Sequence, residues 1–396
     1  MTGNNVKERG LRGLRVEARE ALGRLSLPGA PDEAWRRLPP EVLDGFMEPA
    51  FGGNIVPGSY ELRKNGPGGL IQLGQEDSDE VIARWAAVEQ SRRALRLERA
   101  NDVEDNLLSA LHLAYADSFH SLHFDEKNNG IGKVTEIEIR LSETVDSPVR
   151  GIYLPFLIVE VARGGSADLR VRVTDGGKSP VKGILQLIFL LEAESQLKYS
   201  YSEEGGPEDV WFTFEKSYQG ENSTLHLGHS HTSCGVSMRD GRHAILGKGG
   251  RFEAYTLCQP GGDGFTGQKI SVEQYSPFTS SNVETRSVLG SSSASVFVGA
   301  IKIPEGAAGS EGYEEHRSLL LSPTARVQSL PELEIVENDV RCSHASTVME
   351  PEGEELFYLE SRGIGKEEAR KVLGGAFVRQ VQSKMPGYQR EVNEDE

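Results

Sequence analysis

The sequence predicts a mainly β protein, a β-helix in preference to a sandwich, with helical segments at both ends. Three observations predict it. From about residue 116 to 345 the apolar residues fall in short alternating runs broken by Gly, Ser and Asp: VTEIEIRL, ADLRVRV, GILQLIFLL, VWFTFEK, KISVEQY and ASVFVGAIKI. Period-two alternation over so many short runs is a strand signal. No stretch between these runs has both the length and the period of a helix, which disfavours a doubly wound α/β sheet. The third observation is a degenerate repeat. Leu191-Glu-Ala-Glu-Ser-Gln-Leu197, Leu246-Gly-Lys-Gly-Gly-Arg-Phe252 and Leu321-Ser-Pro-Thr-Ala-Arg-Val327 share one frame: strand end, polar turn, small residue, inward apolar residue. Val288-Leu289-Gly290 through Ala294 and Val296 fits with one extra residue. A small residue recurring at a turn suggests a tight corner between stacked rungs, each of which buries its face only against its neighbours.

In chain order, residues 1–115 are expected to be an N-terminal helical region with a loop-rich break. Val16, Leu22 and Leu25 fit a short helix stopped by Pro28-Gly29, and a second begins at Asp32, a residue suited to capping, and ends at Pro39-Pro40. Residues 50–75 are rich in Gly, Pro and Asn and read as loop. A longer helical pattern starts at Ser78, with Val81, Ile82, Trp85, Ala86 and Val88 apolar. Arg92, Arg93, Arg96 and Arg99 form a basic stripe that fits either an anionic partner or a solvated face paired with neighbouring Glu. Residues 116–345 form the β-helix core, and residues 346–396 a C-terminal helical region. There, Glu354 to Glu360 reads as a helix and Arg362-Gly363-Ile364-Gly365 as a break. A final helix spans about Lys366 to Val381, with Ala369, Val372, Leu373, Ala376 and Phe377 as its apolar face.

Composition removes several functional classes. A formal net charge of -17 argues against binding nucleic acid through phosphate neutralisation. No run of eighteen apolar residues exists, and the charged N-terminus MTGNNVKERGLRGLRVEARE lacks the apolar core of a secretory signal. The three cysteines, Cys234, Cys258 and Cys342, form no Cys-x-x-Cys pair, so neither a zinc ribbon nor a ferredoxin-type cluster can be built within one chain. So few cysteines fit a reducing, cytoplasmic setting. There is no P-loop signature for ATP and no G-x-S-x-G elbow. No Asp/Glu pair stands out as a general acid and base.

Two constellations carry chemistry. Cys342 and His344 lie two residues apart, so on an extended strand they project from the same face. Thiolate and imidazole together suit iron or another borderline-soft metal. One such pair supplies only two ligands, so a second chain must complete a site; the alternative is a buried Cys beside a hydrogen-bonded His. The rival is TLHLGHSHTSC, where His229 and His231 would share a strand face, flanked by His226 and Cys234, as in cupin-like barrels. No carboxylate nearby in sequence completes a triad there. His112, His120 and His123 read as structural.

The C-terminal segments resemble the SufB/SufD family of iron–sulfur cluster assembly proteins, the SufD members in particular. The resemblance is carried by Leu319 to Leu321, Pro331 to Ile335, Cys342-Ser-His344, Phe357 to Ile364, and Ala376 with Phe377. The match is strong over about residues 285–380 and faint before 115. Asp32 to Leu38 echoes a short SufD motif. Ala325 stands at the position of the cysteine that SufB uses in building the nascent cluster, and His344 where SufB has a glutamate. Ala345 replaces the family's Gly, and His316-Arg317 its Asn-Arg. The resemblance implies a right-handed parallel β-helix flanked by N-terminal and C-terminal helical regions. It also implies a non-catalytic scaffold subunit of the SUF complex that pairs with a SufB-like subunit or a second copy and docks a SufC-like ABC ATPase through its C-terminal helices. Cys342 and His344 would serve as metal ligands. No tightly bound cofactor is expected, only a transient Fe–S cluster at a subunit interface, and neither nucleic acid nor membrane is an expected partner. The competing function is a β-helix or cupin-like metalloenzyme acting on a small molecule or polysaccharide.

Overall fold

The computed structural model describes residues 57–58, 60–66, 69–72, 119–125, 134–141, 152–174, 180–203, 205–232, 235–351 and 354–387, together with positions 18, 38, 42, 108, 111, 112, 115 and 116. In chain order the strands are β1 (Pro57–Gly58), β2 (Tyr60–Asn65), β3 (Gly69–Gln72), β4 (His120–Phe124), β5 (Val134–Leu141), β6 (Ile152–Tyr153) and β7 (Phe156–Val161). Next come β8 (Ser166–Thr174), β9 (Lys182–Leu191), β10 (Gln196–Glu203), β11 (Val210–Gln219), β12 (Thr224–His231), β13 (Val236–Ile245) and β14 (Arg251–Cys258). The last are β15 (Phe265–Gln274), β16 (Ser280–Leu289), β17 (Ala294–Ile303), β18 (Ser310–Leu320), β19 (Arg326–Ile335) and β20 (Val340–Met349). Two helices follow, α1 (Glu354–Ser361) and α2 (Lys366–Gln382).

These strands wind into a parallel β-solenoid of about seven turns. Odd strands from β7 to β19 stack into one sheet and even strands from β8 to β20 into the other. Stacking is in register, so Leu187, Glu215 and Gly241 lie side by side on β9, β11 and β13. In parallel sheets, paired residues point the same way, and a residue type can recur as a column through the rungs. Leu157, Leu187, Leu197, Leu225 and Phe252 point inward and form the apolar part of the core. β5 shows the alternation plainly: Ile137, Ile139 and Leu141 are buried, whereas Glu136 and Arg140 are exposed. β11 is buried along its whole length. Its outer face, with that of the neighbouring strands, packs against Leu38, Leu108, Leu111 and Phe119.

The small residue of the repeat closes the corner. The amide N–H groups of Ser195, Ser223 and Gly250 donate to the carbonyl three residues back, those of Glu192, Gly220 and Gly247, at 3.3, 3.3 and 3.4 Å. Ser293 and Ala325 do the same at the opposite corner, to Gly290 and Ser322. The four sequence copies therefore belong to two different edges of the solenoid. The copy beginning at Val288 carries no extra residue: its corner is Gly290–Ser293, and the inward residue is Ser295 rather than Val296. One corner also stacks a column of left-handed residues, Gly164, Glu194, Asn222, Gly249 and Phe278, with φ between 53° and 71°. Each donates its N–H to the carbonyl of the next rung's corner, at 2.7 to 3.2 Å. The inter-rung hydrogen bond holds non-glycine residues in a conformation they otherwise avoid.

Two sequence expectations need correction. Residues 57–72 contain strands, where loop was expected: β2 pairs antiparallel with β5, and β3 with β4. Tyr60-Glu-Leu-Arg-Lys-Asn65 does alternate, but its Gly- and Pro-rich flanks mask so short a run. The core strands also run on to Met349, past the expected boundary at 345. The helices expected around Val16 to Leu25, Asp32 to Pro40 and Val81 to Val88, and the Arg92 to Arg99 stripe, lie outside the described residues, apart from isolated positions. Among the described residues no helix is long and apolar enough to cross a membrane.

Corner packing gives a sharp stability test. A Cβ on Gly247 would sit 2.1 Å from the backbone nitrogen of Glu221, on the adjacent rung, whereas one on Gly290 would meet nothing within 4 Å. Gly247→Ala is expected to cost about 3 kcal/mol through backbone displacement, while Gly290→Ala stays near neutral. Chemical denaturation of both variants measures the difference, and equal midpoints would contradict the corner geometry.

Candidate functional site

β19 and β20 complete the last rung, and among the described residues each pairs on one side only, with β17 and β18 respectively. Cys342 and His344 do share a face. Their register partners on β18 are Gly312 and Glu314, whose side-chain positions point into the solenoid. Cys342 is half-buried and packs against the cluster of Ile301, Ile303 and Ala307. Burial pushes its thiol up, against a smaller opposing effect of the Gly312 backbone. His344 is exposed, because no further rung covers it among the described residues. Ala325 is buried in the corner that leads into β19, and its methyl side chain offers no metal-ligating atom.

Beneath His344 lies a carboxyl group that sequence reading passed over. Glu314 is 3% exposed, and neither of its oxygens has a hydrogen-bond partner. The carboxyl crosses the interior to β17, where it fills the space a side chain at residue 299 would take. A Cβ on Gly299 would lie 2.2 Å from its Oε1. Burial, then the nearby Glu332 charge, pushes the Glu314 carboxyl up to about 8. Next along β18, His316 stacks on Phe297 at 4.6 Å between ring centres. Its Nε2 lies 3.0 Å from Ser287 Oγ and 3.1 Å from Ser318 Oγ. Burial, helped by Arg286, pulls its pKa down to about 3.

The rival histidines are also inside the solenoid, in a closed polar cluster. His229 and His231 share the inward face, as expected, with ring centres 6.5 Å apart. His226 points the other way, and its Nε2 lies 2.9 Å from the Lys384 carbonyl. Carboxylates are present after all, contributed by other strands: Glu203 from β10 and Glu215 from β11. His229 Nε2 lies 3.4 Å from Glu215, and His231 Nδ1 lies 3.6 Å from Glu203. Arg239 Nη2 donates to Glu215, and Tyr201 donates to Glu203 at 3.0 Å. Burial pushes the Glu215 carboxyl up, but Arg239 and then His229 outweigh it and hold the group well below the carboxylate range. A guanidinium inside the cluster already neutralises Glu215 and repels a cation. Among the described residues no group of three or more His, Cys, Asp or Glu could hold a metal ion. Cys258 is buried nearby with its thiol pushed up to about 12, which makes it unreactive. Cys234 lies outside the described residues.

The C-terminal helices form a second surface. The predicted apolar face of α2 divides in two. Ala369 and Phe377 are buried, along with Val378 and Val381, and Phe377, Val378 and Val381 pack on Tyr255, Leu257, Val288 and Leu319 of the solenoid wall. Val372, Leu373 and Ala376 instead line an outward groove with Phe357, Tyr358 and Leu359 of α1. Phe357 is 72% exposed and Tyr358 56%. The end of α2 is fastened by Lys384 Nζ, which donates to both oxygens of Glu284 at 2.6 and 2.8 Å.

The buried histidines predict acid sensitivity. Burial lowers His229, His243 and His316 to about 3, whereas in the unfolded chain they titrate near 6.5. Between those values the unfolded state binds more protons, so stability falls as pH falls from 6.5 toward 3. The loss is roughly 1.4 kcal/mol per pH unit for each such group. His316→Gln is expected to flatten the decline of the melting midpoint between pH 6.5 and 4 relative to the unsubstituted protein. Parallel curves would mean that His316 is not the buried neutral imidazole described.

Comparison with known proteins agrees with this architecture. Residues 146–377 match the family model of the SUF system FeS cluster assembly SufBD core domain, which is more than half of the chain. An iron–sulfur cluster assembly SufBD family protein of Synechocystis is 33% identical over 110 residues, covering 28% of this chain and 24% of that protein. SufD of Escherichia coli is 28% identical over 156 residues, covering 39% of this chain and 37% of SufD. A SufBD family protein of Mycobacterium leprae is 24% identical over 373 residues, covering 91% of this chain and 86% of its own length. The solenoid, its unfinished last rung and the helices behind it are thus those of a member of the SufBD family of iron–sulfur cluster assembly proteins, to which this chain belongs.

Proposed function

We propose that this protein is a SufD-like, non-catalytic scaffold subunit of a cytoplasmic SUF iron–sulfur assembly complex. The observation that carries the reading is the last rung. β19 and β20 are each ten residues long, and each has one edge without a strand partner among the described residues. Long edges without proline are rare in free proteins because they invite pairing with another chain; β20 has none, whereas Pro331 removes one donor from β19. Val336 and Val348 add exposed apolar surface here. A SufB-like subunit or a second copy would cover this end and bring further ligands to the inward face that bears Cys342 and His344. The site would then hold a transient iron–sulfur cluster as cargo. Thiolate and imidazole are both ligand types of such centres. A lone histidine and a cysteine with a raised thiol pKa hold metal weakly by themselves, which suits a shared and temporary site.

The groove of Phe357, Tyr358, Val372, Leu373 and Ala376 is the proposed seat of a SufC-like ABC ATPase. Its apolar floor and exposed aromatics are the composition of an interface centre. The metalloenzyme alternative has less support, because the buried His–carboxylate cluster found among the described residues contains Arg239.

His344→Ala is expected to lower the cluster content of the anaerobically purified complex several-fold, with little change in melting midpoint, since the side chain is exposed. Cys342→Ser should have a smaller effect. The measurement is iron–sulfur absorbance per complex, and normal content in His344→Ala would reduce this protein to a structural partner.

Val372→Glu, or deletion of residues 352–396, should abolish co-purification of the ATPase while the far-ultraviolet β signal persists. Retention of the ATPase by the deleted chain would place its docking surface elsewhere.

A further inference from the structure

Glu314 occupies a position that a folding argument alone does not explain. A buried carboxyl without a hydrogen-bond partner is costly, and such groups persist where something else uses them. Here both oxygens are orphaned in the interior. By contrast, Glu215 and Glu203, equally buried, have Arg239 and Tyr201 as partners. The chain also places a glycine opposite. Gly299 sits in the middle of a ten-residue strand, where glycine weakens pairing and marks close approach by another group. The approaching group is the Glu314 carboxyl itself. The sequence therefore leaves room for an unpaired carboxyl one rung below the open end.

The register fixes what lies above. Glu314 pairs with His344, so the two side chains leave the sheet on the same inward face of adjacent strands. Adjacent strands are about 4.8 Å apart, within reach of a glutamate and an imidazole that turn toward each other. A histidine that binds metal through one nitrogen almost always donates its other N–H to a carboxylate, carbonyl or water. That partner fixes the tautomer and ring orientation. Among the inward side chains of β18, only Glu314 offers an unpartnered carboxyl oxygen: its neighbours there are Gly312, His316 and Ser318, and His316 is already held by two serines.

We propose that Glu314 is a positioning residue for His344. When a partner covers the last rung, a Glu314 carboxyl oxygen accepts the imidazole N–H of His344 and leaves the other ring nitrogen free to face the metal. This rests on the reading of His344 as a metal-binding group. It goes beyond that reading by assigning a role to a residue on a different strand, outside the Cys-x-His segment. In the free chain the carboxyl waits unpaired at a cost in stability, and assembly satisfies it.

The cost and the role have opposite signs, which makes the test decisive. Co(II) is added anaerobically to the purified complex and read by its visible ligand-field absorption, while the melting midpoint is measured on the full-length free chain. Glu314→Gln and Glu314→Leu are expected to weaken Co(II) binding about tenfold or more, with an unchanged or raised midpoint. Glu314→Asp should recover part of the affinity. If Glu314→Gln binds Co(II) as the unsubstituted complex does, while His344→Ala does not, the positioning role is wrong and His344 stands alone. If both variants bind normally, the metal reading fails and the positioning role fails with it. If Glu314→Gln lowers the midpoint and the affinity together and Asp restores neither, Glu314 is a structural prop and the proposal is overturned.

Discussion

Everything in this protein depends on the in-register stacking of parallel rungs. Each strand satisfies its backbone groups, and each inward side chain its contacts, only through the rungs on either side. A solenoid therefore cannot end without leaving a row of unsatisfied groups. At the N-terminal end the row is broken by short antiparallel strands, β2 of six residues and β3 of four. At the C-terminal end no antiparallel strand intervenes among the described residues, and two ten-residue strands are presented, interrupted only by Pro331 in β19. The same asymmetry uncovers Cys342 and His344: they occupy the inward columns that are buried in every earlier rung. The exposure of the candidate site is a geometrical consequence of where the solenoid stops.

The interior is unusually polar, and its polar groups divide by how they are compensated. Glu215 and Arg239 are a buried pair, and removing one partner of such a pair typically costs about 3–5 kcal/mol. Tyr201 donates to Glu203, and Ser237 Oγ lies 3.2 Å from His231 Nδ1. Gln268 bridges Thr256 and Thr285 across the two sheets at 3.0 Å each. These contacts specify register, because a one-residue slip would turn every buried polar group outward. Glu314 has neither carboxyl oxygen compensated, and it lies one rung below the strand edge that ends the solenoid among the described residues.

Much of the fold was legible because it is local. Alternation marked the strands, small residues marked the corners, and two-residue spacing placed Cys342 and His344 on one face. What local text does not carry is which rung lies beside which. Corner lengths vary, from the four residues Glu192–Ser195 to the five of Leu246–Gly250, so no fixed period links one rung to the next. Glu203 and Glu215 stand 28 and 14 residues before His231 and His229, and Glu314 stands 30 before His344. Only the stacking brings them together. The signal that could have found Glu314 was a lone acid on the inward phase of an alternating run, Gly312-x-Glu314-x-His316-x-Ser318. α2 was misread in a related way: an amphipathic pattern says which residues are apolar, but not that two separate surfaces divide them.

That division determines how α2 is held. Phe377, Val378 and Val381 are buried against the wall, and full burial of such side chains contributes about 1.5–3 kcal/mol each. Lys384 and Glu284 add a partly exposed pair, of a kind that contributes roughly 0–1 kcal/mol. Apolar packing therefore keeps the helix on the solenoid, and the charges settle its direction. Glu284 and Glu315 flank Arg286, whose guanidinium also lies 5.8 Å from the Phe377 ring centre. The charged row thus runs beneath the helix from β16 to β18, beside β20. The outer groove takes no part in this anchoring. Its aromatics are exposed at the expense of solubility, while the inner face alone suffices to dock the helix. A helix with one face fastened and the other left apolar fits the proposed ATPase seat, on the same wall that ends in the last rung.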